Sequence, residues 1–182
     1  MKTKTRDTHS IPRDQDLFAM TTVTIERTID QTLPTVWGAF ADFGGVARFH
    51  PFMQRSPLGE GTPAQGVGAE RVCHFYDGNH VRERVLRSED MRSMEVEITE
   101  GSMPLRSAVA LIELSPASGG QTRVSMSMTY EPTMGVLGKV MDVLMMRRKF
   151  GQMLGLVLAG LDEHLRTGQT IERDFRPAAA AA

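Results

Sequence analysis

Glu83 is the residue whose setting most invites chemistry. It lies in the stretch His80–Ser88, where Val81 and Val85 share its parity and Arg82, Arg84 and Leu86 take the other. If the valines face a core, Glu83 faces it too. A carboxylate on an apolar wall must be paired or protonated, because an isolated buried charge is too costly. The preceding stretch offers Arg71 or His74 as the partner, and hairpin register decides which. A three-residue loop pairs Cys73 with Glu83 and leaves Arg71 diagonal. A two-residue Gly78-Asn79 loop puts His74 opposite. Glu83 with a basic partner would bind a polar group, or act on it as acid and base. The plainer alternative is a cross-strand ion pair contributing ~0.2–1 kcal/mol.

Tyr130 is the second candidate. It shares parity with Val124, Met126 and Met128, against Arg123, Ser125, Ser127 and Thr129 on the other face. The apolar set should look inward, which would place the Tyr130 hydroxyl at the mouth of whatever the sheet encloses, or simply in solvent. The catalytic candidates are therefore Glu83, Arg71 and Tyr130. His74, Asp77 and His80 crowd one hairpin, but an exposed turn with two histidines and one aspartate falls short of a fixed set of three or four ligands. No metal is expected. Cys73 lacks a His and Asn or Asp constellation that would make its thiol a nucleophile. No Gly-rich phosphate loop runs from a strand into a helix, and Gly44-Gly45 reads as a helix break. No cofactor is expected.

The elements that must position these residues are strands under one long helix. Thr21–Ile29 alternates as a strand. Asp30 would cap a short helix carrying Leu33, Val36, Trp37 and Phe40, with Pro34 in its first turn. Phe43 to His50 is a second short helix, closed by Pro51. Strands follow at Phe52–Leu58, Val67–Tyr76, His80–Ser88, Ser93–Thr99, Leu105–Leu114 and Thr122–Tyr130, joined by tight turns such as Asp77-Gly78-Asn79. From Thr133, a plausible N-cap, to Arg166 there is no proline, and apolar residues recur at helical spacing in two runs. Such a helix spans about 45–50 Å. The first run is Leu137, Val140, Met141, Leu144 and Met145, and the second is Phe150, Leu154, Val157, Leu158, Leu161 and Leu165. The order β-α-α-β-β-β-β-β-β-α predicts an α+β domain, an antiparallel meander of about seven strands covered by its last helix. Residues 1–19 read as a flexible arm, 20–168 as the domain and 169–182 as a flexible tail.

Composition narrows the function classes. A formal net charge of −1 leaves no nucleic-acid or anionic-membrane footprint. The densest cationic run, Arg147-Arg148-Lys149, reads as a solvated face. No apolar run reaches the ~18–20 residues of a membrane span, so stable membrane insertion is not expected. A single cysteine excludes an internal disulfide and fits a cytoplasmic setting. Thirteen methionines against two tyrosines and one tryptophan are, one by one, those of an ordinary Met-rich core, but Met126 and Met128 together with Met141 and Met145 suit a surface that adapts to varied partners.

Four stretches carry a resemblance: TVTIERTIDQTLPTVWGAFADFGGVARFHP, GVGAERVCHFYDGNHVRERVL, EITEGSMPL and TRVSMSMTYEP. Together they resemble the SRPBCC superfamily (START and birch-pollen-allergen-like proteins) in its bacterial polyketide cyclase/dehydrase-like branch, over about residues 20–168. The resemblance implies the helix-grip fold, a curved sheet wrapped around the C-terminal helix with two short helices after strand 1. It also implies a tunnel for an apolar molecule. Members of that branch often carry an aromatic near Val96 and Ala108, where this chain has small aliphatics. The expected ligand contacts are Trp37, Phe49, Phe52, Phe75, Glu83, Val96, Met126, Met128, Tyr130, Leu137, Met141 and Leu144, with Phe49 and Phe52 as a gate and Trp37 equally suited to plain packing. The expected function is binding or transport of a hydrophobic small molecule, a lipid, polyketide or similar compound. The alternative is a polyketide cyclase, aromatase or dehydratase using the acid–base candidates above. The third is a protein-interaction module with a filled cavity. A homodimer stays open.

Overall fold

The computed structural model describes residues 20–102, 105–132 and 136–177, without the side chains of Pro132 and of 136–144. The expected arm 1–19 and the expected cap Thr133 lie outside the described residues.

Seven strands form one antiparallel sheet: β1 (Thr21–Ile29), β2 (Met53–Arg55), β3 (Glu70–Phe75), β4 (His80–Glu89), β5 (Ser93–Gly101), β6 (Leu105–Pro116) and β7 (Thr122–Pro132). Their spatial order is β1-β7-β6-β5-β4-β3-β2. From β3 to β7 the meander needs only short connections, β2 reaches β3 through the longer segment 56–69, and β1 lies at the far edge beside β7. The connection from β1 holds helix α1 (Leu33–Ala41) and a 3₁₀ turn at Phe43–Arg48. Helix α2 (Val136–Thr167) is 32 residues long, about 48 Å at ~1.5 Å per residue. This is the curved open sheet and long helix of a helix-grip fold.

Alternation decides which face each strand buries. In β7 Val124, Met128 and Tyr130 are buried, and in β4 Val81 and Val85 are. The second apolar run of α2 supplies the opposing surface, with Phe150, Leu154, Val157, Leu158 and Leu161 buried. Trp37 packs in the same core as Val36 and Phe40.

Several boundaries differ from the sequence reading. The cap of α1 is Thr32, whose carbonyl accepts from the Val36 amide at 3.0 Å, while Asp30 accepts from the Gln121 side chain at 3.3 Å. The expected strand Phe52–Leu58 shortens to Met53–Arg55. Ser56 is buried there: it donates to the Gly44 carbonyl at 2.7 Å and accepts from the Ala47 amide at 3.2 Å. That hydroxyl pins the 3₁₀ turn to the sheet edge and bends the chain out of register. The strand expected from Val67 begins at Glu70, and Val67 is exposed.

The end of the chain is tied down over part of its length. Beyond α2 the Ile171 amide donates to the Arg48 carbonyl at 2.8 Å, and the Ile171 side chain is buried. The Arg173 guanidinium lies over the Tyr76 ring at 5.7 Å. Residues 171–173 of the segment read as a tail thus have definite partners.

One close approach locks α2 to the segment after the 3₁₀ turn. A Cβ at Gly160 would collide with the Phe49 carbonyl, which is backbone and cannot swing aside, and would also meet Pro51. In an ordinary helix interior Gly→Ala stabilises by about 0.5–1 kcal/mol. Gly160→Ala should instead lower stability by more than about 1 kcal/mol, measured as a fall in the urea midpoint, whereas Gly155→Ala, with open space at its Cβ, should raise it.

Candidate functional site

Sheet and helix do not meet everywhere. Between them lies a cavity of about 720 Å³. Its floor is the inner face of β4 to β7, including Val81, Met94, Val96, Ile98, Ala110, Ile112, Met126 and Met128. Its roof is α2, through Met146, Phe150, Met153, Leu154 and Val157. Phe40, Phe43, Val46 and Phe49 close one side from α1 and the 3₁₀ turn. Exposed lining residues mark where it reaches the surface: Phe52, Asp77, Asn79, Lys149, Arg173 and Asp174.

The cavity wall holds one enclosed polar cluster. Arg71 and Glu83 stand directly opposite each other on β3 and β4. Arg71 Nε donates to Glu83 Oε2 at 2.6 Å, and Nη2 lies 2.6 Å from the same oxygen in the ion pair. The side chains keep only 11% and 14% of their exposure. Arg71 Nη1 donates to the Phe43 carbonyl at 2.8 Å, and the guanidinium lies 4.0 Å over the Phe43 ring. This arrangement corrects both loop alternatives drawn from the sequence. The hairpin loop is three residues, but it is Tyr76-Asp77-Gly78, one residue earlier than Asp77-Gly78-Asn79. The Phe75 amide donates to the Asn79 carbonyl, and Gly78 takes φ 87° to close the turn. That start puts Cys73 opposite Val81 and His74 opposite His80. A bulge between β4 and β5, with Arg82 paired to Glu100 and Glu83 to Ile98, falls beside the pair. Bulges of this kind re-aim a side chain.

Two neighbours complete the cluster. Cys73 is fully buried and its thiol donates to Glu83 Oε2 at 3.5 Å. Burial pushes the thiol pKa up, and the Glu83 charge pushes it further. A thiol held protonated is a poor nucleophile. His50 is buried at the end of the 3₁₀ turn, its ring edge-on to Phe52 and Phe75. Burial lowers its pKa to about 4, with Glu83 opposing the shift and Arg71 adding to it. It is therefore a neutral imidazole at pH 7. Its Nδ1 accepts from the Phe52 amide at 3.4 Å, a contact that favours the tautomer with the proton on Nε2.

The structure brings Arg71, Glu83, Phe49, Phe52, Phe75, Val96, Met126 and Met128 together around the cavity. Trp37 and Tyr130 are not in its lining. Trp37 packs within the core of α1. Tyr130 has no exposure and rests its ring 4.6 Å from that of Phe150. Its hydroxyl is buried and does not mark a mouth. The contacts expected of Leu137, Met141 and Leu144 lie outside the described side chains. His74 and His80 face each other at 6.4 Å between ring centres, and Asp77 is engaged by Asn79. Among the described residues no three His, Cys, Asp or Glu side chains converge on a metal position. Sequence reading missed His50. Its signal was a histidine set between Phe49 and Pro51-Phe52, at the joint where the short helices meet the sheet.

The family described as polyketide cyclase / dehydrase and lipid transport matches residues 20–166. The chain belongs to that family. Its structure is similar to that of XoxI from Bacillus cereus, with 20% identity, TM-score 0.63, and coverage of 82% of this chain and 96% of that one. It is similar to ginseng major latex-like protein 151 from Panax ginseng, with 18% identity, TM-score 0.66, and coverage of 80% and 97%. It is also similar to Ara h 8.0201, with 15% identity, TM-score 0.63, and coverage of 81% and 99%. These likenesses show the SRPBCC fold. No curated protein matches the chain. Among the described residues no helix is long and apolar enough to cross a membrane.

Two predictions follow from the cluster. Arg71→Met strands Glu83 in an apolar wall and removes the donor to Phe43, so it should cost about 3–5 kcal/mol. Adding Glu83→Gln should recover much of that loss. Urea unfolding of the two single variants and the double variant measures the coupling. The second concerns pH. His50 has a folded pKa of about 4, below the ordinary 6.5. Above pH 6.5 it is neutral folded or unfolded. Between about 6.5 and 4 only the unfolded chain takes the proton, so stability falls with pH across that window, by up to about 3 kcal/mol. His50→Phe should flatten the urea midpoint between pH 6.5 and 5, and a wild-type slope retained in the variant would place the effect elsewhere.

Proposed function

We propose that this protein binds and carries one apolar small molecule in the cavity between its sheet and α2. The observation that carries the reading is the cavity itself, about 720 Å³ with a mostly apolar lining and one enclosed polar cluster. Ligand sites have this form: some 300–1,000 Å³ of apolar wall with a few placed polar groups that fix orientation. The six lining methionines, Met53, Met94, Met126, Met128, Met146 and Met153, suit ligands of varied outline. A protein-interaction module with a filled interior fits less well, since the volume is open. Membership of a lipid-transport and cyclase family supports the same reading. The single cysteine, buried and in no disulfide, suits a cytoplasmic carrier.

A cyclase, aromatase or dehydratase reaction needs groups that move protons over the ligand. Each nitrogen of Arg71 already has an oxygen partner, Tyr130 stands behind the lining, and Glu83, which does line the cavity, is tied through Oε2 into the ion pair with Arg71. These placements favour holding a ligand over transforming it.

Native mass spectrometry of protein purified without detergent, followed by organic extraction, should reveal a stoichiometric apolar mass. Delipidated protein should bind N-phenyl-1-naphthylamine with a rise in fluorescence. Val96→Trp, which turns a large ring into the open volume, should weaken that binding at least about tenfold, roughly 1.4 kcal/mol, with the far-ultraviolet circular dichroism unchanged. Wild-type protein that carries no ligand and leaves the probe dark would argue for a closed interior.

A further inference from the structure

We propose that the polar group of the ligand is an uncharged hydroxyl, and that the cavity selects alcohols and phenols over ketones and carboxylates of the same apolar size. The inference rests on the carrier reading and extends it to ligand class.

The argument is an inventory of hydrogen-bonding capacity inside the cavity. Arg71 is the enclosed cation; Glu83 and the Phe43 carbonyl engage each of its three nitrogens, and Glu83 balances its charge. Two of its five N–H groups have no partner among the described residues, so what disfavours an incoming anion is the carboxylate already seated on the guanidinium. Glu83 takes the Arg71 Nε–H bond, the Nη2 contact and the Cys73 thiol on the same oxygen, Oε2. Its other oxygen, Oε1, has no hydrogen-bond partner among the described residues, and it is not one of the atoms sealed from solvent space. Glu83 lines the cavity, so Oε1 is an acceptor offered to the ligand. His50 lines the same cavity as a neutral ring whose Nδ1 is already an acceptor, so Nε2–H is the donor it offers.

One fixed acceptor and one neutral donor define the complement. The ligand must donate a hydrogen bond to Glu83 and accept one from His50, through the same oxygen or a neighbouring one. An alcohol, phenol or enol does both. A ketone can answer His50 but leaves the Glu83 oxygen without a donor after expelling its water, which costs the full desolvation of a charged acceptor. A carboxylate is worse, because it sets a second negative charge beside Glu83 in an apolar enclosure. Sites built to bond a hydroxyl discriminate against analogues that lack it for this reason. The cations at the exposed rim, Lys149 and Arg173, are solvated and accompanied by Asp77 and Asp174. A carboxylate held there would gain little.

The test uses delipidated full-length protein loaded with N-phenyl-1-naphthylamine and displaced by 1-decanol, 2-decanone or decanoate at pH 7.5. In the wild type 1-decanol should displace the probe at a concentration at least about fivefold below that of 2-decanone, a difference of roughly 1 kcal/mol, with decanoate weaker still. Glu83→Gln keeps an oxygen for Arg71 and turns an amide N–H₂ toward the ligand. It should erase or reverse the preference for decanol over decanone and bring decanoate closer to both. Equal displacement of the wild type by decanol and decanone, or an unchanged ratio in Glu83→Gln, would overturn the inference while leaving the carrier reading in place. Should the variant fail to fold, the wild-type alcohol-to-ketone ratio decides alone. Failure of the wild type to bind the probe at all would overturn the carrier reading and this inference with it.

Discussion

A carboxylate set into an apolar wall cannot stay unpaired, and much of this molecule's arrangement near the cavity follows from how Glu83 is neutralised. Arg71 reaches it only if β3 and β4 pair in one register, and that register depends on where the hairpin loop starts. The same guanidinium spans to the Phe43 carbonyl and covers the Phe43 ring, so it also fixes the 3₁₀ turn against the sheet. Ser56 fastens the other side of that turn to the edge beyond β2. Gly160 lets α2 approach the segment that follows it. The β3–β4 hairpin and the 3₁₀ turn, separate in the chain, therefore converge on one ion pair. Pairs of this kind often add little net stability over an apolar substitute. What this pair supplies is a single register and a polar point of known position in a cavity that is otherwise apolar.

The sequence was most legible where physics is periodic. Alternation in β4 and β7 identified the inner faces, including Glu83 beside Val81 and Val85, because a strand's side chains have a period of two and nothing else competes. The second apolar run of α2 was equally plain. Legibility failed where a single residue sets geometry. The loops Tyr76-Asp77-Gly78 and Asp77-Gly78-Asn79 share Asp77 and Gly78, so the turn residues do not separate them; the Phe75 amide bonded to the Asn79 carbonyl and the left-handed backbone at Gly78 do. Ser56 looks like a strand residue until its hydroxyl is seen holding two backbone groups. Ile171 is one aliphatic in a polar run, too little pattern to reveal that it docks under Arg48. His50 shows no periodicity at all, and its importance comes from a joint between elements that have no sequence adjacency.

Tyr130 shows how parity can place a residue on the right face and still mislead about its use. It does point inward, as its neighbours require. It lies near the end of β7, where the Phe150 ring from α2 meets it, and there the helix sits directly on the sheet. The cavity opens further along, where the facing residues are Met126, Met128, Ala110 and Ile112. Facing inward is a property of a strand. Facing a cavity depends on how far the covering helix stands off, and the spacing of apolar residues carries no information about that.

An open volume in a protein interior is a standing cost, since its lining forgoes the contacts that packing would supply. A chain of this size could close such a space with a few larger side chains, and positions such as Val96 and Ala110 hold small ones. The space persists beside an ion pair that leaves one carboxylate oxygen unused and beside a histidine kept neutral by burial. An apolar occupant restores the missing contacts, and a polar group on it would satisfy the unused oxygen. The two costs have one remedy, which is why the cavity and its polar cluster are best understood as a single site.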